Sequence, residues 1–197
     1  MKKIILYLAA FSASALFSFK AGNEASYKVD AQKSTLVWTG KKVTGEHKGN
    51  IPVSSGTLVV TDNKLKGGNF ELNVAGLTVT DITDPTGNGK LVGHLKNDDF
   101  FSTDKFPKAT YAITSVTSKG GNNYDIAGNL TIKGITQPVS FPAVVSVSGK
   151  TLTATGVVTV NRTKFDIKFK SASFFENLGD KAIYDDFTLD VKLVANL

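Results

Sequence analysis

The amino-acid sequence predicts an all-β chain, a single antiparallel up-and-down barrel of about eight strands with a short helix near its mouth. Three observations predict it. From Tyr111 onward, apolar residues alternate with polar ones through six successive runs, the period-2 pattern of strands with one buried face. Most of the separators between runs are short and turn-like, as antiparallel hairpins require. One stretch, Leu91–Pro107, breaks the alternation: Leu91 and Leu95 lie four apart, as on one face of a helix, and Phe100, Phe101 and Phe106 follow before Pro107. Such an insert within β structure serves as the lid or plug of a barrel.

The N-terminus reads as a secretory signal over residues 1–21. Lys2 and Lys3 precede an uncharged apolar run from Ile4 to about Phe19, with small residues for cleavage at Ala13–Ala15 or at Ala21. The run falls short of the ~20 apolar residues of a membrane span; a retained anchor is the alternative. Residues 22–197 then form one domain, a length that suits one fold and not two. Gly22–Ser26 reads as a flexible leader, and Tyr27–Asp30 opens the folded part. A strand with the sole tryptophan, Trp38, covers Thr35–Val43. The polar stretch Lys41–Asn50, with His47, reads as a loop, and a strand follows near Gly56–Thr61.

Further on, Phe70, Leu72 and Val74 occupy even positions while Leu77 and Val79 occupy odd ones. One residue has to be absorbed at Ala75-Gly76, the mark of a β-bulge. Asp84–Gly89 reads as a turn into the insert. Beyond Pro107 the strands are centred on Tyr111–Ile113, Tyr124–Ile132, Val139–Val147, Leu152–Val160, Phe165–Phe169 and Phe187–Leu193. Strand count alone also allows a sandwich. Long strands, a bulge, and small residues on the buried face (Gly128, Ala143, Ala154, Gly156) favour a barrel with room inside.

Composition narrows the function. Cysteine is absent, which removes disulfides, thiolate sites and lipid attachment through cysteine, and points to a bacterial periplasm or similar space. Without Lys2, Lys3 and Lys20 the charge is 20 basic against 17 acidic residues, or +3. The lysines are scattered and Arg162 is the only arginine, unlike the clustered cations of a nucleic-acid binder. Two histidines without ligand spacing make no metal site. The adjacent pairs Asp98-Asp99 and Asp185-Asp186 point in different directions and make no catalytic dyad. No nucleophile elbow, phosphate loop or dinucleotide fingerprint occurs. Asn129-Leu130-Thr131 and Asn161-Arg162-Thr163 are formal sequons, a weak sign in a bacterial setting.

Several polar and aromatic residues have two readings each. His94, on the insert, either meets a ligand headgroup or makes a structural hydrogen bond. His47 reads as a solvated loop residue. Arg162 either holds an anionic headgroup or, as preferred here, pairs with a carboxylate across the strands. The phenylalanines of the insert, with Phe165 and Phe169, are either ordinary core or tunnel lining. Thirteen phenylalanines against one methionine suit a rigid aromatic lining.

Four ordered segments resemble the YceI family of secreted, lipocalin-like proteins: GHLKNDDFFSTDKFP at Gly93–Pro107, GNLTIKGITQPVSFP at Gly128–Pro142, NRTKFDIKF at Asn161–Phe169, and the tail NLGDKAIYDDFTLDVKLVA. The likeness spans about Tyr27 to Leu197. The chain departs from the family at Val92, where an acidic residue is frequent, and at Asp166, where a glycine is frequent. The resemblance implies an eight-stranded lipocalin-like barrel enclosing an apolar tunnel for a long-chain amphiphile, a polyisoprenoid or a fatty-acid derivative. It implies a periplasmic or secreted carrier or scavenger rather than an enzyme, and a possible homodimer. The alternatives are a lipid-modifying enzyme with His94 as base and a structural envelope protein with a solid interior. The residues expected to touch the ligand are His94, Leu95, Phe100, Phe101, Phe106, Trp38, Arg162 and Phe165, with no catalytic residue, metal or cofactor.

Overall fold

The computed structural model describes residues 23–197; the expected signal segment at 1–21 lies outside them. Ten strands make one antiparallel sheet: β1 (Glu24–Val29), β2 (Thr35–Lys42), β3 (Gly45–Asn50), β4 (Val53–Thr61), β5 (Lys64–Asn73), β6 (Lys108–Gly120), β7 (Asn123–Ile132), β8 (Ile135–Ser148), β9 (Thr151–Asn161) and β10 (Ile183–Asn196). They form eight staves, because two staves are broken strands. β1 and β2 run on along β10, separated by the turn at residues 30–34, and β3 and β4 run on along them, separated by Ile51-Pro52. With β10 bonded to β9 and to the β1–β2 stave, the sheet closes into an eight-stranded up-and-down barrel. Closure pairs every stave with two neighbours over at least part of its length and leaves an inside.

One end of the barrel is packed shut. Tyr27, Leu58, Val60 and Leu152 are buried there, and the Tyr27 hydroxyl donates to the Gly149 carbonyl at 3.1 Å. The other end, the mouth, carries α1 (Pro85–Lys96) and the segment from Arg162 to the start of β10. Among the described residues no helix is long and apolar enough to cross a membrane. The seam between β5 and β6 is zipped only at the mouth side, where Asn69–Asn73 pair with Lys108–Ala112; Lys64–Gly68 and Ile113–Gly120 make no ladder across it.

Several local expectations are corrected. The chain is already a strand at Glu24, paired with Thr61, so Glu24–Ser26 is no leader. The stretch expected as a loop contains β3. It lacks an apolar signal because its inward position is Gly49, where a Cβ would stand 2.8 Å from the Trp38 indole nitrogen and closer still to the Thr78 carbonyl. The phase slip at Ala75-Gly76 is no bulge but a 3₁₀ turn, Val74–Gly76, held by the Asn73 side chain accepting from Gly76 N at 3.0 Å. True register shifts lie in the β4–β5, β6–β7 and β2–β10 pairs instead. Phe165–Phe169 is no strand either: a 3₁₀ turn at Arg162–Phe165 leads into Asp166 at φ +58°. Phe165 and Ile167 alternate because both sides of that turn are buried. Finally, Asp84–Gly89 does not precede the helix but begins it. Asp84 caps it, accepting from Gly87 N at 2.6 Å, and Pro85 takes the first turn, where a missing N–H costs nothing.

Candidate functional site

The mouth is built by two excursions that meet over the lumen. After α1 the chain folds back on the helix end: Phe101 N donates to Leu95 O at 3.1 Å and Thr103 N to Lys96 O at 2.9 Å. These bonds satisfy carbonyls that a helix C-terminus otherwise leaves open, and they place Phe100 and Phe101 beside Leu95. From the other side, Arg162 gathers the second excursion. Its Nε donates to Tyr184 O at 3.0 Å, Nη1 to Ile167 O at 2.8 Å and Nη2 to Ile183 O at 3.0 Å. Asp185 Oδ1 faces Nη2 at 3.6 Å and is buried without a hydrogen bond of its own among the described residues. Burial pushes the Asp185 carboxyl up, but the Ser171 and Ser173 hydroxyls and Arg162 together hold it below its ordinary value. Burial also pulls the Arg162 guanidinium down, against Asp185, and arginine stays charged regardless.

Between the excursions lies an outer chamber, a cavity of about 70 Å³ that is partly open to solvent. Trp38, Ile51 and Leu77 contribute from the barrel rim, Leu95, Phe100 and Phe101 from the α1 side, and Ile167, Ile183 and Phe187 from the other. Tyr184 stands at its edge, 55% exposed. Arg162 borders it, but its donors point at carbonyls, so the chamber offers a ligand carbon rather than charge.

Two more chambers follow down the axis. A middle one of about 70 Å³ is lined by Leu36, Val53, Leu72, Tyr111, Leu130, Val158 and Leu189 among others, all apolar but for the Tyr111 hydroxyl. That hydroxyl donates to Val139 O at 3.0 Å, and burial pushes its pKa up to about 12, keeping it a neutral donor. A smaller, deep chamber of about 30 Å³ lies beyond, where Ala143, Ala154 and Gly156 leave room. Along β10 the lining runs from Ile183 through Leu189 to Leu193, about 30 Å of strand at ~3.3 Å per residue.

Of the residues expected to touch a ligand, Leu95, Phe100, Phe101, Trp38 and Arg162 are brought together around the outer chamber. The other three are not. Phe165 is 1% exposed and packs in the core beneath the 3₁₀ turn. Phe106 lies at the surface, 36% exposed, against Gly134. His94 sits beside the chamber rather than in its lining. Its Nε2 is 3.1 Å from Asp99 Oδ2, and its ring stands edge-on to Phe100 and Phe169 at 5.0 and 4.7 Å. It therefore ties the two excursions together. His47 is no lone loop residue: its Nδ1 is 2.8 Å from Asp81 Oδ2, linking β3 to the approach to α1. Sequence reasoning missed the deeper lining, Leu36, Val53 and Leu189, because those residues look like any inward strand positions. Among the described residues no three His, Asp or Glu side chains converge as metal ligands would.

Comparison with known proteins agrees with this architecture. The model of a family described as the YceI-like domain matches residues 27–195. The UPF0312 protein of Shewanella oneidensis is 39% identical over 67 residues, 34% of this chain and 35% of that one, so the match spans about a third of that relative's length. The crystal structure of Burkholderia cenocepacia BcnA superposes with a TM-score of 0.69 at 23% identity, covering 85% of this chain and 99% of that one. A polyisoprenoid-binding domain from Saccharophagus degradans, implicated in plant cell wall breakdown, gives a TM-score of 0.63 at 12% identity, covering 86% and 97%. At these identities the two structures speak to the fold alone.

Proposed function

The chain belongs to the YceI-like domain family, and from that membership and the lumen we propose that it is an exported carrier or scavenger of a long-chain amphiphile. The ligand is a polyisoprenoid or a fatty-acid-like lipid, held with its tail down the barrel. One observation carries the reading: three apolar chambers follow one another from the α1 mouth toward the packed end. Burying a chain there contributes ~0.8 kcal/mol per methylene, so a dozen carbons bind tightly without elaborate polar contacts. The polyisoprenoid-binding description of the Saccharophagus degradans domain supports the ligand class. The apolar run after Lys2 and Lys3, and the absence of cysteine, support export to the periplasm.

No catalytic step is needed. His94, the base of the enzyme alternative, is engaged by Asp99 and lies outside the chamber lining. A structural barrel would want its interior filled, and this one has unfilled chambers. The test is native mass spectrometry of protein purified gently from its own host, followed by organic extraction. A bound lipid mass is expected, together with a higher melting temperature when prenyl or acyl lipids are added to stripped protein. Apo mass alone, with no melting shift for either lipid class, overturns the proposal.

A further inference from the structure

The middle and deep chambers meet at Phe70 and Phe141, which line both. There, three aromatic rings lie over three glycines of neighbouring strands. Phe70 on β5 covers Gly56 on β4: a Cβ at Gly56 would stand 2.6 Å from its ring. Tyr111 on β6 crosses β7 at Gly128, where a Cβ would stand 2.5 Å from the ring, and reaches β8 to donate to Val139 O at 3.0 Å. Phe141 on β8 covers Gly156 on β9, where a Cβ would stand 3.2 Å from the ring. Tyr111 and Phe141 also touch, with centroids 5.8 Å apart.

Each glycine points inward, so its missing side chain makes a shallow recess in the wall in which a ring lies flat. A Cβ in the recess presses on the ring, and at Gly128 and Gly156 also on the Ala112 and Pro142 carbonyl oxygens at 2.5 and 3.0 Å; the wall blocks outward movement, so the ring yields by swinging toward the axis. We infer that this collar of Phe70, Tyr111 and Phe141 over Gly56, Gly128 and Gly156 sets the length of chain the protein accepts. Rings against the wall leave the deep chamber continuous with the middle one; rings displaced inward cut it off. The inference rests on the proposed lumen ligand and adds a specificity determinant to it.

The experiment is calorimetric titration of the intact folded protein with saturated fatty acids of increasing length and with geraniol, farnesol and geranylgeraniol. In the wild type, Kd falls about fourfold per added methylene until the tail has filled the deep chamber, then levels off. Gly156→Ala is the mildest change, since its Cβ would stand 3.0 Å from the Pro142 carbonyl oxygen and 3.2 Å from the Phe141 ring, against nearest contacts of 2.5 Å at Gly128 and 2.6 Å at Gly56. It is expected to level off at least two carbons earlier than the wild type, and so to bind the longest probes at least about sixteenfold more weakly. Phe141→Ala is expected to level off later, and it decides the matter should Gly156→Ala fail to fold. Folded variants that track the wild type at every length overturn the collar while leaving lumen binding intact. A wild type that binds neither series overturns both.

Discussion

Arg162 is 4% exposed, and its burial is explained by what surrounds it rather than by a ligand. Three carbonyls and a carboxylate satisfy it, and together they set the turn after β9 against the start of β10. Removing one partner of such a group leaves the others buried and unpaired. Arg162→Ala should therefore lose about 3–5 kcal/mol in urea unfolding, and Arg162→Lys should recover only part, since an ammonium does not reproduce the planar fork. A residue that only held a headgroup would instead weaken binding and leave stability unchanged. Asp185 gives the matching acid prediction. Its folded pKa lies below the ordinary 3.8, so its contribution is complete above pH ~4 and is lost as pH falls through the depressed value. The wild-type melting temperature should drop more steeply than that of Asp185→Asn between about pH 4 and 2. A carboxylate partner for the lone arginine was legible in the sequence. The carbonyl partners were not, because backbone acceptors carry no residue code. Asp166 takes the left-handed φ of +58° that aspartate tolerates better than most side chains.

Among the elements, α1 owes its start to side-chain capping more than to amphipathicity, since Leu95 is its one buried residue. Asp84→Ala should cost about 1 kcal/mol, read as a lower melting temperature. It should also loosen the α1 wall of the outer chamber, where Leu95, Phe100 and Phe101 sit. The long strands β7, β8 and β9 were readable because each has one buried face and regular alternation. The failures share a cause. At β3 the inward position is a glycine ceded to Trp38, and in the turns at Val74–Gly76 and Arg162–Phe165 apolar residues are buried without a strand's pairing. Hydrophobic alternation records burial, and hydrogen bonding only by inference. Small inward residues in the sequence suggest room inside. That holds for Ala143 and Ala154, whereas Gly128 is covered by Tyr111 and Gly156 both faces the deep chamber and lies under Phe141.

At the scale of the molecule, eight staves and a packed far end make a container that opens where α1 and the Arg162 segment meet. Its wall is weakest along the half-zipped β5–β6 seam. Amides of Ile113–Gly120 that face β5 should exchange with deuterium much faster than those paired to β7, while Asn69–Asn73 stay protected. Uniform protection along β6 would mean that the seam closes in solution. A second copy pairing in a homodimer would find unpaired backbone at this free edge of β6. Trp38 has a consequence of its own. It is the sole indole of the chain, fixed by an Nε1–H bond to Thr78 O at 3.0 Å, and it faces the outer chamber. Whatever displaces water there alters the polarity around a single chromophore, so the emission colour of the untagged protein reports directly whether the vessel is full or empty.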